Sequence, residues 1–574
     1  MPEKSKRGKK KEPVASSRRQ FVKRLGGGAL AAAAATLPAL DSHAQSSGGN
    51  WSATYDWICV GSGMAGCASA IAGSDRGMKT LIVEKMEKIG GLTIEADAAL
   101  WIPMSHMMKE RGIADNREDA MKYVEFVGGG YSLPEHRAAF VDNVARVFEH
   151  LHRKADVAFV WSDREEFFAP VAPGARKGRL HGITPFRTET LGLWRNKLGL
   201  PLHLRGFVEA LKMTENPETV GGSGPSRTMD AQLAAWKKRL GAAKFDELVK
   251  EDEAVRDGGP AIIGYMLRAL MKRGVELRTG TSADRLIVEK GRVVGLVVKS
   301  NGKEERLRAN KGVMMALGGA AIRPLGDPFA WMLATTADAM VHSEPILVPR
   351  ISLPVPGEKL ADGSPFGRSE VDRQHSMIVN RFGERFGNES FFQDIGAAVN
   401  RFENWKTHRF ENVPSYLIFD HQMLEKYAFG GMPLGESENL PWLTKGQTLQ
   451  EVAAKLKIDG GRLEKAVARF NEFARSGKDG DFNRTARTIA TVEKPPFFGA
   501  ELETPEPFDA GTSIVTNPKG QALHYRTKQP IPGLYSSGAI TANRVVWGMG
   551  YQAGFVLMGG ATFAFLAAEH AAAS

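Results

Sequence analysis

The stretch YDWICVGSGMAG, residues 55–66, decides the fold of this chain. Its first six residues are mostly apolar and predict a buried strand, and the small residues of 67–75 predict a helix. A second apolar strand is predicted over Thr80–Val83, directly before Glu84. The succession of strand, G-x-G-x-x-G, helix, strand and acid, with 23 residues from Gly61 to Glu84, indicates a dinucleotide-binding βαβ unit.

Each part of this unit has a role in holding a pyrophosphate. Gly61 permits a tight turn, Gly63 lets the backbone approach the phosphates, and Gly66 lets helix and strand pack closely. The N-terminus of the helix offers free N–H groups and a partial positive charge. Glu84 can accept hydrogen bonds from ribose hydroxyls. The motif alone fits NAD and FAD equally, because both contain an adenosine ribose and a pyrophosphate.

Further motifs lie outside the βαβ unit. KIGGLT at residues 88–93 and LWIP at 100–103 follow it, and PGLYSSG at 532–538 and YQAG at 551–554 lie near the C-terminus. In order and content they resemble the fumarate reductase and ketosteroid dehydrogenase superfamily of flavoproteins. The resemblance extends from Trp51 to the C-terminus, includes a hairpin of the capping domain at 379–389, and implies FAD as the cofactor.

The resemblance also implies an α/β fold with two domains. A discontinuous, Rossmann-like FAD-binding domain is expected at 51–330 and 500–574, with an inserted α+β substrate-capping domain at 331–499. The substrate would lie between the cap and the isoalloxazine ring. Local patterns add a helix and strand over 261–277, a hairpin of 286–288 with 292–296, and strands at 313–317 and 413–420.

The same resemblance assigns residues to the cofactor and substrate sites. The predicted FAD-binding residues are Gly61, Ser62, Gly63, Ala65, Gly66, Glu84, Lys85, Gly90, Gly91, Thr93, Gly318, Gly538, Gly554 and Leu557. The predicted lining of the substrate pocket consists of Trp101, Phe167, Phe168 and Phe555. The missing side chain of Gly554 is expected to let the backbone approach the isoalloxazine ring.

The chain departs from the fumarate reductase branch at three positions. Those enzymes hold two carboxylates with Arg and His side chains and deliver a proton from an arginine. The resemblance places the proton-donor arginine on Gln393, a second arginine on Gln552 and the histidine near Phe508. A dianion that leaves water without cations loses several kcal/mol of solvation. A fumarate or tricarballylate type of substrate is therefore disfavoured.

The ketosteroid dehydrogenase branch binds a ketone oxygen with a tyrosine hydroxyl and a backbone N–H in a Y-x-x-x-G stretch. Tyr551 falls on that tyrosine, although the glycine comes one place early at Gly554 and the N–H position falls on Phe555. Two donors at a carbonyl oxygen would stabilise a developing enolate. Tyr551 is therefore the predicted donor to the carbonyl, and a structural tyrosine at a helix start is the alternative.

The base that takes the α-proton is not where this branch places it. The two family tyrosines fall on Gln393, which is not a base, and within 167–169, which lacks a hydroxyl. This disfavours a steroid and suits a smaller cyclic ketone. Tyr265 is the preferred substitute, because it opens a helix expected near the flavin. The other candidates are Tyr131, Tyr416, His181 and His342. The predicted catalytic set is Tyr551, Gln393 and Tyr265.

These observations predict an FAD-dependent oxidoreductase that converts a C–C single bond next to a ketone into a C=C bond. The resemblance to cyclohexanone dehydrogenases implies that the ketone is cyclic. An ene-reductase of a neutral or monoacid enoate or enone is the first alternative. A non-catalytic flavin electron carrier is the second. The expected partners are a small ketone and an external electron acceptor.

The composition narrows the class of protein. Two cysteines among 574 residues exclude a disulfide framework, a Cys-ligated iron–sulfur cluster and a Cys-rich zinc site, and no metal is expected. The net charge is +11, but residues 1–44 contribute +7 of it, from ten Lys and Arg and three acids. The remaining +4 is ordinary for this length, so the charge gives no reason to expect a nucleic-acid partner.

Residues 1–44 have the three parts of an export signal. A basic stretch with SRRQFVK at 17–23 precedes an apolar run at 25–40 and the small-residue end SHA at 42–44. The paired Arg18 and Arg19 resemble the signal of the twin-arginine route, which exports folded proteins. We therefore expect recognition by that machinery, cleavage near Ala44 and a periplasmic location. No permanent membrane span is predicted, because the apolar run 555–568 is shorter than the ~20 residues that a span needs.

Overall fold

The computed structural model describes residues 50–215, 224–318, 330–343, 351–359, 365–399, 408–503, 512–541 and 550–574. Within these ranges the strands, numbered β1–β21 in chain order, are Ala53–Val60, Thr80–Val83, Leu100–Trp101, Phe159–Trp161, Leu180–Ile183, Phe186–Arg187, Val255–Arg256, Glu276–Arg278, Ser282–Glu289, Arg292–Ser300, Lys303–Met315, Val341–Ser343, Leu353–Lys359, Pro365–Arg368, Ser376–Asn380, Ser415–Asp420, Thr444–Gly446, Phe497–Leu502, Thr512–Ile514, Gln521–Leu523 and Pro530–Ser536.

The helices, numbered α1–α14 in the same way, are Met64–Ser74, His106–Glu110, Arg117–Gly128, Pro134–Arg153, Arg205–Lys212, Asp230–Leu240, Ala242–Ala254, Gly258–Lys272, Met332–Thr335, Phe392–Val399, His421–Lys426, Leu449–Leu456, Gly460–Ser476 and Phe555–Ala573. Two 3-10 segments cover Gly91–Glu95 and Thr188–Lys197, and the second is interrupted at Gly192.

The main sheet has eight strands. Its order is β20-β21-β11-β1-β2-β8, and β10 pairs with β11 and with β9. The central pairs β21–β11, β11–β1, β1–β2 and β2–β8 are parallel, whereas β9, β10 and β20 join antiparallel. Strands from the first 315 residues thus share one sheet with strands from 521–536, as expected for a discontinuous nucleotide-binding domain.

The two faces of the main sheet are covered differently, because alternate side chains of β1 point to opposite sides. Trp57 and Cys59 lie in the cluster formed with α1, α8 and α14. Ile58 and Val60 lie in a second cluster, with apolar residues of the β9–β10 hairpin. The predicted buried strand therefore packs on both faces, as its continuous apolar run requires.

The second sheet is antiparallel and has the order β15-β16-β18-β17. Residues of α10 pack on one face, where Ile395 contacts the cluster that includes Leu417. Residues of α12 and α13 pack on the other face, with Ile418. The predicted α/β fold with an additional α+β layer is confirmed. The domain boundaries stay a prediction, and the proposed boundary at 500 falls inside β18.

Several element limits differ from the prediction. Helix α1 begins at Met64 rather than at 67, because Gly63 is the last extended residue before it. Helix α8 begins at Gly258, and the last helix begins at Phe555 rather than at the YQAG motif. The segment 381–391 contains no strand, and β15 pairs with β16 instead of with its own hairpin.

Helix α14 is longer than the apolar run 555–568, whose short length was the reason for predicting no membrane span. It spans 19 residues and, among the residues described here, is the one helix long and apolar enough to cross a membrane. However, 61% of its most apolar window is buried, and it packs against α1 and α4. This burial is that of a core helix in a folded domain.

Candidate active site

The glycine-rich turn after β1 is closely packed. Gly61 has φ of +106°, and a Cβ there would lie 2.2 Å from the carbonyl oxygen of Ala316. A Cβ on Gly66 would lie 2.0 Å from the carbonyl oxygen of Gly61. At both positions the backbone itself fills the place of a side chain, so only glycine fits. The turn and α1 are thereby held directly against the end of β11.

The same turn leaves donors available for an anion. The N–H groups of Gly63, Ala65 and Gly66 have no acceptor among the described residues, whereas the N–H of Met64 donates to Thr93 Oγ1 at 3.0 Å. A Cβ on Gly63 would have 3.5 Å to its nearest neighbour, so this face of the turn is open. Unpaired N–H groups at a helix N-terminus fit a pyrophosphate. We call this region the nucleotide cradle: residues 61–66, Glu84 and 90–93.

Glu84 is nearly buried at the end of β2 and joins the parts of the cradle. Its Oε2 accepts hydrogen bonds from the N–H and the hydroxyl of Ser62, at 3.0 and 2.6 Å. Its Oε1 accepts from the N–H of Met86 at 2.9 Å. Ser62 Oγ in turn accepts from the N–H of Gly90. Oε2 therefore uses both of its lone pairs on Ser62, whereas Oε1 keeps one lone pair for a ribose hydroxyl.

Residues from distant parts of the chain meet at the cradle. Gly538 follows β21 with φ of +85°, and a Cβ there would lie 3.1 Å from Cβ of Ala65. A Cβ on Gly560 of α14 would lie 3.1 Å from Cα of Gly538. Gly318 follows the neighbouring β11, and the space around its missing side chain is open. Gly90 and Gly91 have positive φ, Lys85 is exposed and Leu557 is half-buried.

A group of aromatic rings surrounds Tyr551 in front of α14. We call it the aromatic wall: Phe167, Phe168, Phe391, Phe392 and Tyr551. The Tyr551 ring centroid lies 6.1 Å from that of Phe167 and 5.8 Å from that of Phe392. Phe168 meets Phe391 edge to face at 5.0 Å. All five side chains are half-buried, so they form an apolar surface that is open enough to receive a ligand.

Two glutamines fix the main chain at the aromatic wall. Gln393 Oε1 accepts from the N–H of Tyr551 at 2.7 Å, and its Nε2 donates to the carbonyl of Tyr551. Gln552 is fully buried, and its Oε1 accepts from the hydroxyl of Tyr123 and from the N–H of Phe167. Burial raises the pKa of Tyr123, which keeps this phenol protonated as the donor.

A buried ion network supports the loop that carries Phe167 and Phe168. Arg179 pairs with Asp115 at 2.7 Å and with Glu166 at 3.3 Å, and all three are almost without exposed surface. Trp101 Nε1 and the N–H of Arg176 also donate to Glu166. Burial raises the pKa of Glu166, opposed by the charge of Arg179. The loop is therefore anchored immediately before the aromatic wall.

The family assignment follows from the whole of this arrangement. The model of the FAD binding domain family matches residues 56–555, which include the cradle, the second sheet and Tyr551. The chain belongs to this FAD-binding family. FAD is its cofactor, as predicted, and the fit rests on the unpaired N–H groups and the glycine-only turn of the cradle.

The relatives extend over nearly the full chain. A 3-oxosteroid 1-dehydrogenase of Mycobacterium tuberculosis is 29% identical over 90% of this chain and 98% of its own length. A 4-oxocyclohexanecarboxylate 2-dehydrogenase of Sinomonas cyclohexanicum is 26% identical over 88% of this chain and 93% of its own. The 3-ketosteroid Δ1-dehydrogenase structure from Sterolibacterium denitrificans has a TM-score of 0.75 at 24% identity, covering 91% of this chain and 99% of its own, and confirms the fold.

Three predicted residues have a different role from the one expected. Gly554 has φ of +94°, but a Cβ there would lie 2.2 Å from the N atom of Trp101. Its missing side chain is thus required by β3, and the predicted approach of its backbone to the isoalloxazine ring stays a prediction. Trp101 and Phe555 have no exposed surface and meet edge to face at 4.9 Å in the core. They support the aromatic wall from behind and do not line an open pocket.

Four of the candidate catalytic and base residues are held by main-chain, side-chain or core contacts. Gln393 uses both polar atoms of its amide on the Tyr551 main chain. The hydroxyl of Tyr265 donates to the carbonyl of Pro185, and its ring contacts Phe186. His181 is buried, with Nε2 near Ser105 Oγ and Nδ1 near the Arg179 carbonyl, and burial lowers its pKa to about 4. Tyr416 lies in the core of the second sheet. Their described contacts are therefore structural.

Sequence reasoning missed Phe391, Phe392 and Tyr123. The adjacent Phe391 and Phe392 follow the segment 379–389, so an aromatic pair directly after the cap motif was an available signal. Tyr123 lies inside α3, and its link to Gln552 joins residues 429 positions apart. Such a contact has no local pattern.

Phe508 lies outside the described residues. Among the residues that the structure describes, no group of three or more His, Cys, Asp or Glu could hold a metal ion.

Proposed function

We propose that this FAD-dependent oxidoreductase desaturates a cyclic ketone next to its carbonyl group. The observation that carries the proposal is Tyr551, held at the start of α14 among apolar rings. The relatives that act on 3-oxosteroids and on 4-oxocyclohexanecarboxylate support a ring ketone as the substrate class. The aromatic wall fits the apolar ring of such a substrate, and the Tyr551 hydroxyl supplies a donor for its oxygen.

The protein's own contribution is to orient the substrate and to stabilise charge. FAD, when bound, supplies the acceptor for the hydride. The Tyr551 hydroxyl donates to the ketone oxygen, where negative charge grows as the α-proton passes to a base. Helix α14 begins at Phe555, so its partial positive end lies within about one turn of Tyr551 and favours the same charge. The aromatic wall keeps water from the reacting carbons.

Anaerobic flavin absorbance tests the proposal. Saturated cyclic ketones such as cyclohexanone, 4-oxocyclohexanecarboxylate or a 3-oxosteroid should bleach the oxidised flavin, and a soluble dye should restore its colour as an external electron acceptor. Reoxidation of the reduced flavin by enones, without bleaching by any saturated ketone, would instead indicate an ene-reductase. A response to neither class of compound would indicate an electron carrier.

Dicarboxylates are expected to be poor substrates. Near Tyr551, the described polar side chains are the amides of Gln393 and Gln552, whose carbonyl oxygens already accept main-chain N–H groups. A dianion would lose several kcal/mol of solvation without a compensating cation. We expect fumarate to reoxidise the reduced enzyme at least about 1,000-fold more slowly than the best cyclic enone. Comparable rates would contradict this charge argument.

We also propose export by the twin-arginine route, on the basis of Arg18 and Arg19 before the apolar run of residues 25–40. Replacing both with lysine keeps the charge but removes the paired guanidinium groups. The double variant should accumulate in the cytoplasm with its normal flavin content, and cell fractionation with flavin absorbance measures both. Replacement of Lys9 and Lys10 with arginine is the matched control. Normal periplasmic activity of the double variant would contradict the assignment.

A further inference from the structure

The amide of Gln393 is bound to a single residue in a way that resembles a pair of strand hydrogen bonds. Its Oε1 accepts the N–H of Tyr551 at 2.7 Å, and its Nε2 donates to the carbonyl of the same residue. Gln393 is only 8% exposed. Because the amide binds both the N–H and the carbonyl of Tyr551, which belong to the two peptide groups that flank its Cα, it fixes the orientation of the Tyr551 main chain and not only its distance.

The two partners come from different layers of the fold. Gln393 lies in the first turn of α10, which packs on the second sheet through Ile395. Tyr551 lies in the turn before α14, which packs against α1 beneath the main sheet. The two residues are 158 positions apart in the chain. The amide therefore connects the layer predicted to cap the substrate to the turn that carries the carbonyl donor.

The start of α10 is itself well anchored. Glu389 pairs with Arg385 at 2.7 Å, and Arg385 also pairs with Asp479 at 2.8 Å, with both acids buried. Phe391 and Phe392, the two residues before the glutamine, then contact Phe168 and Tyr551. Gln393 is thus presented to Tyr551 from a rigid support, as a positioning group requires.

We propose that Gln393 is a positioning residue that aims the Tyr551 hydroxyl at the ketone oxygen by fixing the Tyr551 main chain. The inference rests on the proposed function of Tyr551. Gln393 touches neither the reacting atoms nor the proton, and it acts through the direction of the Tyr551 peptide. A displacement of about 1 Å in a reacting group can cost about 100-fold in rate, so the expected effect is on turnover.

Replacement of Gln393 with Glu tests the donor half of this contact. The shapes are nearly equal, but a carboxylate has only acceptors and opposes the Tyr551 carbonyl. A protonated carboxyl offers one donor and one acceptor, which is the pair that Tyr551 needs. We expect kcat at about pH 8 to fall about 10- to 100-fold with a smaller change in KM. Burial raises the pKa of this carboxyl above its usual value of about 4.3, so activity relative to wild type should recover as the pH falls toward about 5.

A second variant and a second measurement separate aiming from folding. Gln393→Met keeps the length and removes both hydrogen bonds, so its loss in kcat should not depend on pH. Hydrogen exchange of a peptide that contains the Tyr551 amide should be at least about 10-fold faster than in wild type. The matched control is Gln374→Glu, a glutamine of the second-sheet layer whose Nε2 also donates to a main-chain carbonyl, that of Arg487. Its kcat and its exchange at Tyr551 should equal those of wild type.

The experiments on Gln393 can fail independently of the proposed ketone desaturation. Hydrogen exchange needs no ketone, so it decides the role of Gln393 even if wild type desaturates none of the tested substrates. Unchanged exchange in Gln393→Met, wild-type kcat in either Gln393 variant, or a loss in Gln393→Glu that acid does not restore would each overturn the proposal. Loss of FAD or of the cooperative melting transition in both Gln393→Glu and Gln393→Met would also overturn the proposal. Gln393 would then stabilise the fold as a whole instead of orienting Tyr551.

Discussion

Gly66→Ala is expected to produce a folded protein that lacks FAD. The added Cβ would lie 2.0 Å from the carbonyl oxygen and 3.0 Å from the carbonyl carbon of Gly61, and both atoms belong to the backbone. They cannot rotate away as a side chain could, so α1 must move from the turn after β1. Gly61 has φ of +106° and lies against Ala316, so the turn cannot yield either. The N–H groups of Gly63 and Ala65 then no longer point at one pyrophosphate.

We expect the affinity for FAD to fall at least about 100-fold, since the helix N-terminus and the close approach of the backbone contribute together to phosphate binding. Acid precipitation of pure wild-type protein should release FAD into the supernatant, and the variant should release almost none. Gly461→Ala is the matched control, because Gly461 is exposed in the first turn of α13 and its Cβ would have 3.4 Å to its nearest neighbour. Full flavin content in Gly66→Ala would contradict the assignment of the nucleotide cradle as the FAD pyrophosphate site.

The parts of the fold that could be predicted are those with local patterns. The strand Thr80–Val83 was predicted with its observed limits, because a short apolar run between a turn and an acid has few other interpretations. The glycines at 61 and 66 also follow from local geometry, since each is required by a backbone atom of the βαβ unit or of the segment after the neighbouring strand β11.

The parts that could not be predicted depend on contacts between distant segments. Gly554 was identified as a special position, but the atom that requires it is the backbone N of Trp101, more than 400 residues earlier. The resemblance identifies Gln393 only as the position where fumarate reductases have their proton-donor arginine. In the structure its amide is bound to the main chain of Tyr551. An amide can donate and accept in many directions, so only the fold determines its partner.

Tyr265 illustrates the same limit for a candidate base. Tyr265 is expected to open a helix, but α8 covers Gly258–Lys272, so Tyr265 lies in the middle of the helix. The direction of its hydroxyl, which donates to the carbonyl of Pro185, is set by the packing of Phe186 against the helix. A residue's place on a helix follows from periodicity, but the partner of its polar atom does not.

Tyr551→Phe is expected to lower turnover of the best cyclic ketone about 100-fold or more, with FAD still bound. The lost hydrogen bond matters most when negative charge has developed on the ketone oxygen, so the effect falls on kcat more than on KM. The phenyl ring keeps the contacts with Phe167 and Phe392 in the aromatic wall. The main-chain bonds to Gln393 do not involve the hydroxyl, so the peptide should stay in place.

Single-turnover flavin bleaching at saturating ketone measures the effect on the chemical step, and acid-released FAD with the melting temperature measures integrity. Tyr525→Phe is the matched control, because Tyr525 is an exposed tyrosine stacked on His524 beside the β20–β21 connection, and it should bleach at the wild-type rate. If the hydroxyl acts only in the transition state, its removal should slow bleaching while the ketone concentration at half-saturation stays nearly unchanged. Normal bleaching by Tyr551→Phe would remove Tyr551 from the chemistry, and the ketone proposal would then rest on the relatives and on the uncharged character of the aromatic wall.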